Sequence, residues 1–151
     1  MLIIKNNPTD TSYRALLDLA FKECEEFQLV VRTDILKYQD SFTDLDTWFN
    51  DAFKEVHKQH EWPSTNLFDD IATVYYFKTT PEALKILKDK SNSFFQWLHP
   101  ELPEDLCFFK DGEAWISASS ELKELYVYPT SVDETHAVKN IDSLEVLEVQ
   151  F

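Results

Sequence analysis

Glu104 and Asp105 stand side by side after Pro103, and paired carboxylates are the minimal equipment for acid–base work, one held protonated and the other ionised. Glycoside hydrolysis uses two such groups across the scissile bond, whereas adjacent acids after a proline also cap or solvate turns. Ser119, Ser120 and Glu121 form a second set, because a serine becomes a nucleophile only beside a base; no histidine stands next to them, and turn residues read the same way. His57 and His60 lie three residues apart beside Glu61, a spacing that on a helix turns both imidazoles to one side. Zinc needs three or four ligands and no third is placed nearby, so these histidines read as partners of a helix dipole and no metal is expected. His99, before Pro100, and His136 read as structural or exposed.

Other chemistries are removed by absence. Gly112 is the only glycine, so there is no glycine-rich loop to cradle phosphates, and no cofactor is expected. Cys24 and Cys107 lie far apart in apolar segments, without the paired spacing of a metal site, and read as buried reduced thiols.

The elements that must position these residues follow from periodicity. Asp10 is placed to cap a helix with apolar positions Tyr13, Leu16, Leu17, Ala20, Phe21 and Cys24. A short strand is predicted over Gln28 to Thr33. Ser41 with Asp44 resembles a capping box, followed by a stripe of Phe42, Leu45, Phe49, Ala52, Phe53 and Val56 that predicts a second helix, stopped by Pro63. Ile71 to Lys78 reads as a strand, and Thr80–Pro81 starts a third helix through Leu84, Leu87, Phe94, Phe95 and Leu98, ending before Pro100. Asp111–Gly112 predicts a type I′ turn joining Cys107–Lys110 to Glu113–Ser119. A strand at Leu122–Tyr128, a short helix at Val132–Val138 behind Ser131 and a terminal strand over Leu144–Phe151 complete the reading. The expected fold is one α+β domain over residues 1–151: three main helices packed on one face of a mostly antiparallel sheet, with a C-terminal β-meander.

Composition sets limits on partners. Twelve Phe, six Tyr and four Trp in 151 residues are too much apolar surface for a disordered chain. Met1–Ile4 is too short an apolar run for a signal peptide, and no span is long enough for a bilayer, so a cytoplasmic location is expected. The net charge is −14, and residues 101–151 carry twelve acids against three bases. Nucleic acid and anionic membranes are therefore poor partners, whereas a basic protein would be attracted and steered.

Trp62-Pro63-Ser64-Thr65, Trp97-Leu98-His99-Pro100, Leu102-Pro103-Glu104-Asp105-Leu106, Trp115 and Ser117-Ala118-Ser119-Ser120-Glu121 together carry a resemblance. Over residues 10–128 the chain resembles a family of small bacterial proteins that often bear the label "stage III sporulation protein AH". The sporulation channel protein of that name is membrane-anchored, so the label does not suit a chain without a spanning segment. In the family a His-Glu pair is usual after the serine matching Ser119, where this chain has Ser120-Glu121. The resemblance implies a bacterial cytosolic protein and supplies no activity.

Two functions are compatible with these residues. One is a non-enzymatic acidic binding protein, of which an immunity-type protein masking a basic partner is one form. The alternative is a small hydrolase or small-molecule binder. In either case Trp62, Thr65, Trp97, Glu104, Asp105, Ser119 and Glu121 are the expected site, the indoles forming walls and the carboxylates and hydroxyls the oriented polar contacts.

Overall fold

The computed structural model describes residues 1–150, so the expected terminal strand is described only up to Gln150, and Phe151 lies outside the described residues. The chain runs β1 (Leu2–Ile4), α1 (Thr11–Glu23), β2 (Glu26–Val31), β3 (Phe53–Gln59), β4 (Glu61–Trp62), β5 (Thr65–Asn66), β6 (Ala72–Lys78), α2 (Pro81–Lys90), β7 (Glu104–Lys110), β8 (Glu113–Ser119), β9 (Glu124–Val127), α3 (Val132–Lys139) and β10 (Val146–Glu148). Eight strands form one antiparallel sheet in the order β10-β1-β9-β8-β7-β2-β6-β3, and β4 with β5 forms a small second sheet.

The expectation of three main helices packed on one face of the sheet is corrected by this architecture, which is mixed α+β but mostly sheet. The predicted second helix does not form. Leu36–Tyr38, Leu45–Thr47 and Asn50–Ala52 are single 3-10 turns, and the stripe continues into edge strand β3. Phe42 and Asn50 take positive φ, 51° and 57°, which no α-helix accommodates. Leu45, Phe49 and Ala52 still reach the core, so the apolar spacing marked burial while pairing with β6 decided the backbone. The histidines expected on that helix accordingly sit on or beside an edge strand, with His57 Nε2 3.2 Å from Glu55 and His60 Nδ1 3.1 Å from the Asp70 carbonyl.

The predicted third helix stops at Lys90 rather than near Leu98. Ser91 and Ser93 are the reason. The Ser91 hydroxyl bonds the Ser93 carbonyl at 2.8 Å, and the Ser93 hydroxyl accepts the Gln96 N–H at 3.2 Å, offering the backbone an alternative to the helix. Asp10 makes no side-chain cap on α1; Ser12 and Thr9 bond each other there instead.

Phe27 is the centre of the main core. Its ring stacks on Phe77 at 5.1 Å and meets Phe49 edge-on at 5.3 Å, with Phe108 at 5.8 Å. Burying aromatic rings in this way contributes several kcal/mol per residue, about 3–5 on truncation to alanine. A smaller cluster of Val30, Ala72, Val74 and Trp62 ties the β4–β5 hairpin to the sheet. Among the described residues no helix is long and apolar enough to cross a membrane.

Candidate functional site

Glu104 opens β7 where the strand is irregular. Gln28 faces Cys107 and Val30 faces Glu104, so Asp105 and Leu106 together oppose Leu29 alone, which is a β-bulge. Asp105 takes the left-handed conformation, φ 58°, which a short polar side chain tolerates better than most. The buried Gln28 amide donates to the Asp105 carbonyl at 3.2 Å and holds the bulge in place.

The bulge sends the two carboxylates to separate partners. Asp105 Oδ1 accepts the Ser120 N–H at 3.0 Å, while Oδ2 accepts the Trp62 indole N–H at 2.8 Å and the Ser64 hydroxyl at 3.4 Å. With only 2% of the residue exposed, burial pushes this carboxyl up, and the charge of Glu104 adds to the effect. The bonds from Ser120 and Trp62 and the charge of Arg32 pull the other way, leaving it at about 6.

Glu104 faces His99 and Arg32. Its Oε1 lies 3.0 Å from His99 Nδ1 and its Oε2 3.4 Å from the Arg32 guanidinium. The Arg32 backbone N–H donates to His99 Nε2 at 3.3 Å. A ring nitrogen that accepts a hydrogen bond carries no proton, so the His99 proton sits on Nδ1 and is donated to Glu104. Both imidazole nitrogens are thus engaged within the chain. Arg32 forks onto Asp34 at 2.9 and 2.8 Å, the two-bond geometry in which guanidinium and carboxylate match best. The His99 ring is held between Tyr38, centroids 4.6 Å apart, and Phe42 at 5.4 Å.

Beside this cluster opens a cleft of about 400 Å³, with Arg32, Tyr38, Leu98, His99, Glu104 and Glu121 among its walls. Glu121 reaches in from an exposed position to 4.0 Å from Arg32. A larger groove of about 660 Å³, between Pro63, Phe109, Trp115 and Tyr128, holds none of the carboxylates selected from the sequence.

The expected site residues therefore divide. Trp62 and Asp105 meet in one buried hydrogen bond, while Glu104 and Glu121 line the cleft beside it. Thr65 pairs with Trp62 across the small hairpin, its hydroxyl 3.3 Å from that of Ser64. Ser119 accepts the Leu122 N–H at 3.5 Å within the turn after β8. Trp97 lies elsewhere, fully buried in the main core and donating to the Tyr13 hydroxyl at 3.0 Å. Neither Trp62 nor Trp97 walls an open depression, since both are buried. Sequence reasoning passed over Arg32, Asp34 and Tyr38, and read His99 as structural or exposed. One signal was available: Arg32, one of two arginines, directly follows the apolar run Leu29–Val31, where a charge needs a partner.

A second polar centre lies away from the cleft. Glu134 on α3 accepts Trp115 Nε1–H at 2.6 Å, the Thr130 N–H at 3.0 Å, the Thr130 hydroxyl at 2.7 Å and Lys110 Nζ at 2.5 Å. Burial acts to raise this carboxyl, but those donors outweigh it and hold it at about 2. Among the described residues no group of three or more His, Cys, Asp or Glu side chains is arranged to hold a metal ion. Compared with protein-family models, curated proteins and solved structures, the chain matches none.

Proposed function

We propose that this protein is a non-enzymatic acidic binding protein that masks a positively charged partner, an immunity-type protein being one form of that role. The observation that carries the reading is the loop leaving the cleft. Between Tyr38 and Lys54 it bears Asp40, Asp44, Asp46 and Asp51 with no Lys or Arg, all four exposed and none in an ion pair among the described residues. Uncompensated charge of one sign raises the local concentration of an oppositely charged partner and speeds its encounter. The hydrolase alternative draws less support, because His99, Glu104 and Asp105 spend their hydrogen bonds on one another, Arg32, Trp62 and Ser120. A general base must reach a substrate proton with a free lone pair.

Selection from a random peptide library at low ionic strength tests the reading. Enriched sequences should carry net positive charge, and binding should weaken when Asp40, Asp44, Asp46 and Asp51 are together changed to Lys. Enrichment of neutral or acidic sequences would overturn it.

A further inference from the structure

We propose that the cleft beside Tyr38 is a receptor for a lysine side chain of the partner, an inference that rests on the acidic-binding reading and gives it a place and a chemistry. Three observations combine. The first is a charge balance within the cleft. Arg32 is forked onto Asp34, so that pair is neutral, and His99 gives Glu104 a hydrogen bond without a charge. Glu104, at 3.4 Å, and Glu121, at 4.0 Å, both converge on the same Arg32 nitrogen, so two carboxylates share a cation already spent. A carboxylate offers about four acceptor positions, and Glu121 uses none of its own on another side-chain donor within hydrogen-bond distance among the described residues. Lys37, which also lines the cleft, offsets one of these two carboxylates, so the cleft retains one net negative charge, and its spare acceptors are those of Glu121.

The second observation is a cation already seated there. Lys37 and Tyr38 both line the cleft, and Lys37 Nζ lies 5.1 Å from the centre of the Tyr38 ring, so that ring holds an ammonium group. The third is the shape. Ile35 and Leu98 supply apolar wall for a methylene stem, and at about 400 Å³ the space is at the small end of ligand clefts. Next in sequence to the lining residues Ile35 and Glu121, Leu36 and Leu122 are 80% and 66% exposed, apolar surface for the residues flanking an inserted lysine. An ammonium entering past Tyr38 meets Glu121, with the charge of Glu104 behind it, and displaces Lys37 from the ring.

The experiment is chemical-shift mapping on the ¹⁵N-labelled chain at low salt, using the peptide Ac-Leu-Lys-Leu-NH2 and its Nε-acetyl-lysine counterpart. The lysine peptide should move the amides of Arg32 to Tyr38, His99 and Glu121, and the acetylated one should not. Glu121→Gln should weaken the lysine peptide about three- to fivefold, the size of one partly exposed ion pair. Lys37→Gln should tighten it, and more than Lys22→Gln does, a substitution of equal charge on exposed helix surface. Equal shifts with the acetylated peptide would overturn the proposal, as would equal effects of the two lysine substitutions. Shifts confined to Asp40–Asp51 would overturn the cleft while leaving the acidic-binding reading intact. No shift anywhere with the lysine peptide would remove both.

Discussion

The indole of Trp62 donates a 2.8 Å hydrogen bond to the carboxylate of Asp105, joining the small hairpin to the bulge of β7 across 43 residues of chain. Ser64 approaches the same oxygen and Ser120 the other, so one buried carboxylate gathers a hairpin, a central strand and the turn after β8. Its loss should be felt as stability of that corner of the molecule. Trp62→Phe keeps most of the apolar contact with Val30, Ala72 and Val74 but leaves Asp105 Oδ2 short of its best donor. Urea denaturation should show a loss of about 1–2 kcal/mol, while Thr65→Ala stays within about 0.5 kcal/mol. Equal effects would mean that the indole serves by packing alone.

Stability should pass through a maximum on the acid side of neutrality. Asp105 is raised from 3.8 to about 6, so its contribution is fully present below the unfolded value and is lost as pH rises through 6. The magnitude is on the order of 3 kcal/mol at most. Glu134 is depressed from 4.5 to about 2, so its contribution is present above 4.5 and lost as pH falls toward 2. Urea midpoints measured from pH 3 to 8 should rise from pH 8 to about 5 and then fall. Asp105→Asn should flatten the upper limb and Glu134→Gln the lower; an unchanged upper limb in Asp105→Asn would assign it to another group.

The turn between β7 and β8 holds Asp111 at φ 51° and Gly112 at φ 81°, and no atom lies within 4 Å of a Cβ added at Gly112. A substitution there meets a backbone cost and no steric one. Gly112→Ala should cost about 1 kcal/mol and Gly112→Asn less, because asparagine visits the left-handed region more readily. Thermal melts of the two variants decide it, and equal losses would point to packing instead.

Cys24 and Cys107 are free, 4% and 0% exposed, and burial pushes both thiols up in pKa. Cys107 Sγ also accepts the Ala118 N–H at 3.4 Å. Buried, protonated thiols are poor nucleophiles. A chromogenic disulfide reagent should leave the native protein unlabelled on the timescale of minutes and modify both thiols in urea. Rapid labelling of one native thiol would reveal local opening of its strand or helix end.

Some local chemistry was readable where it was self-contained, though the caps expected of Asp10 and of Ser41 with Asp44 did not form. Thr80–Pro81 starts α2, with the Thr80 hydroxyl accepting the Ala83 N–H at 3.1 Å, and Ser131 caps α3 in the same way at 3.2 Å. The Asp111–Gly112 turn and the span of α1 likewise follow from residues within a few positions of one another. Residues 41–59 were misread because Leu45, Phe49 and Ala52 recur at helical spacing and do face the core, yet the segment is finished by β6, which pairs with β3 from Ala72 onward. Periodicity reports which side chains are buried; it reports backbone geometry only when nothing distant competes for the hydrogen bonds.

Glu104 and Asp105 were picked out by their types, and Trp62 by its motif, but type alone does not say that one acid binds an indole and its neighbour an imidazole. The bulge opposite Leu29 made that division, and a bulge arises from the register between two strands whose paired residues lie 74 to 83 positions apart. Asp34 and Tyr38 were invisible for the same reason, and His99 and Arg32 gave no hint of their partners: each acquires its role only from its neighbours in space. Acidity, apolar content and the turn and cap signals were properties of the chain; which charges face each other, and which stay exposed without an ion pair among the described residues, was settled by long-range packing.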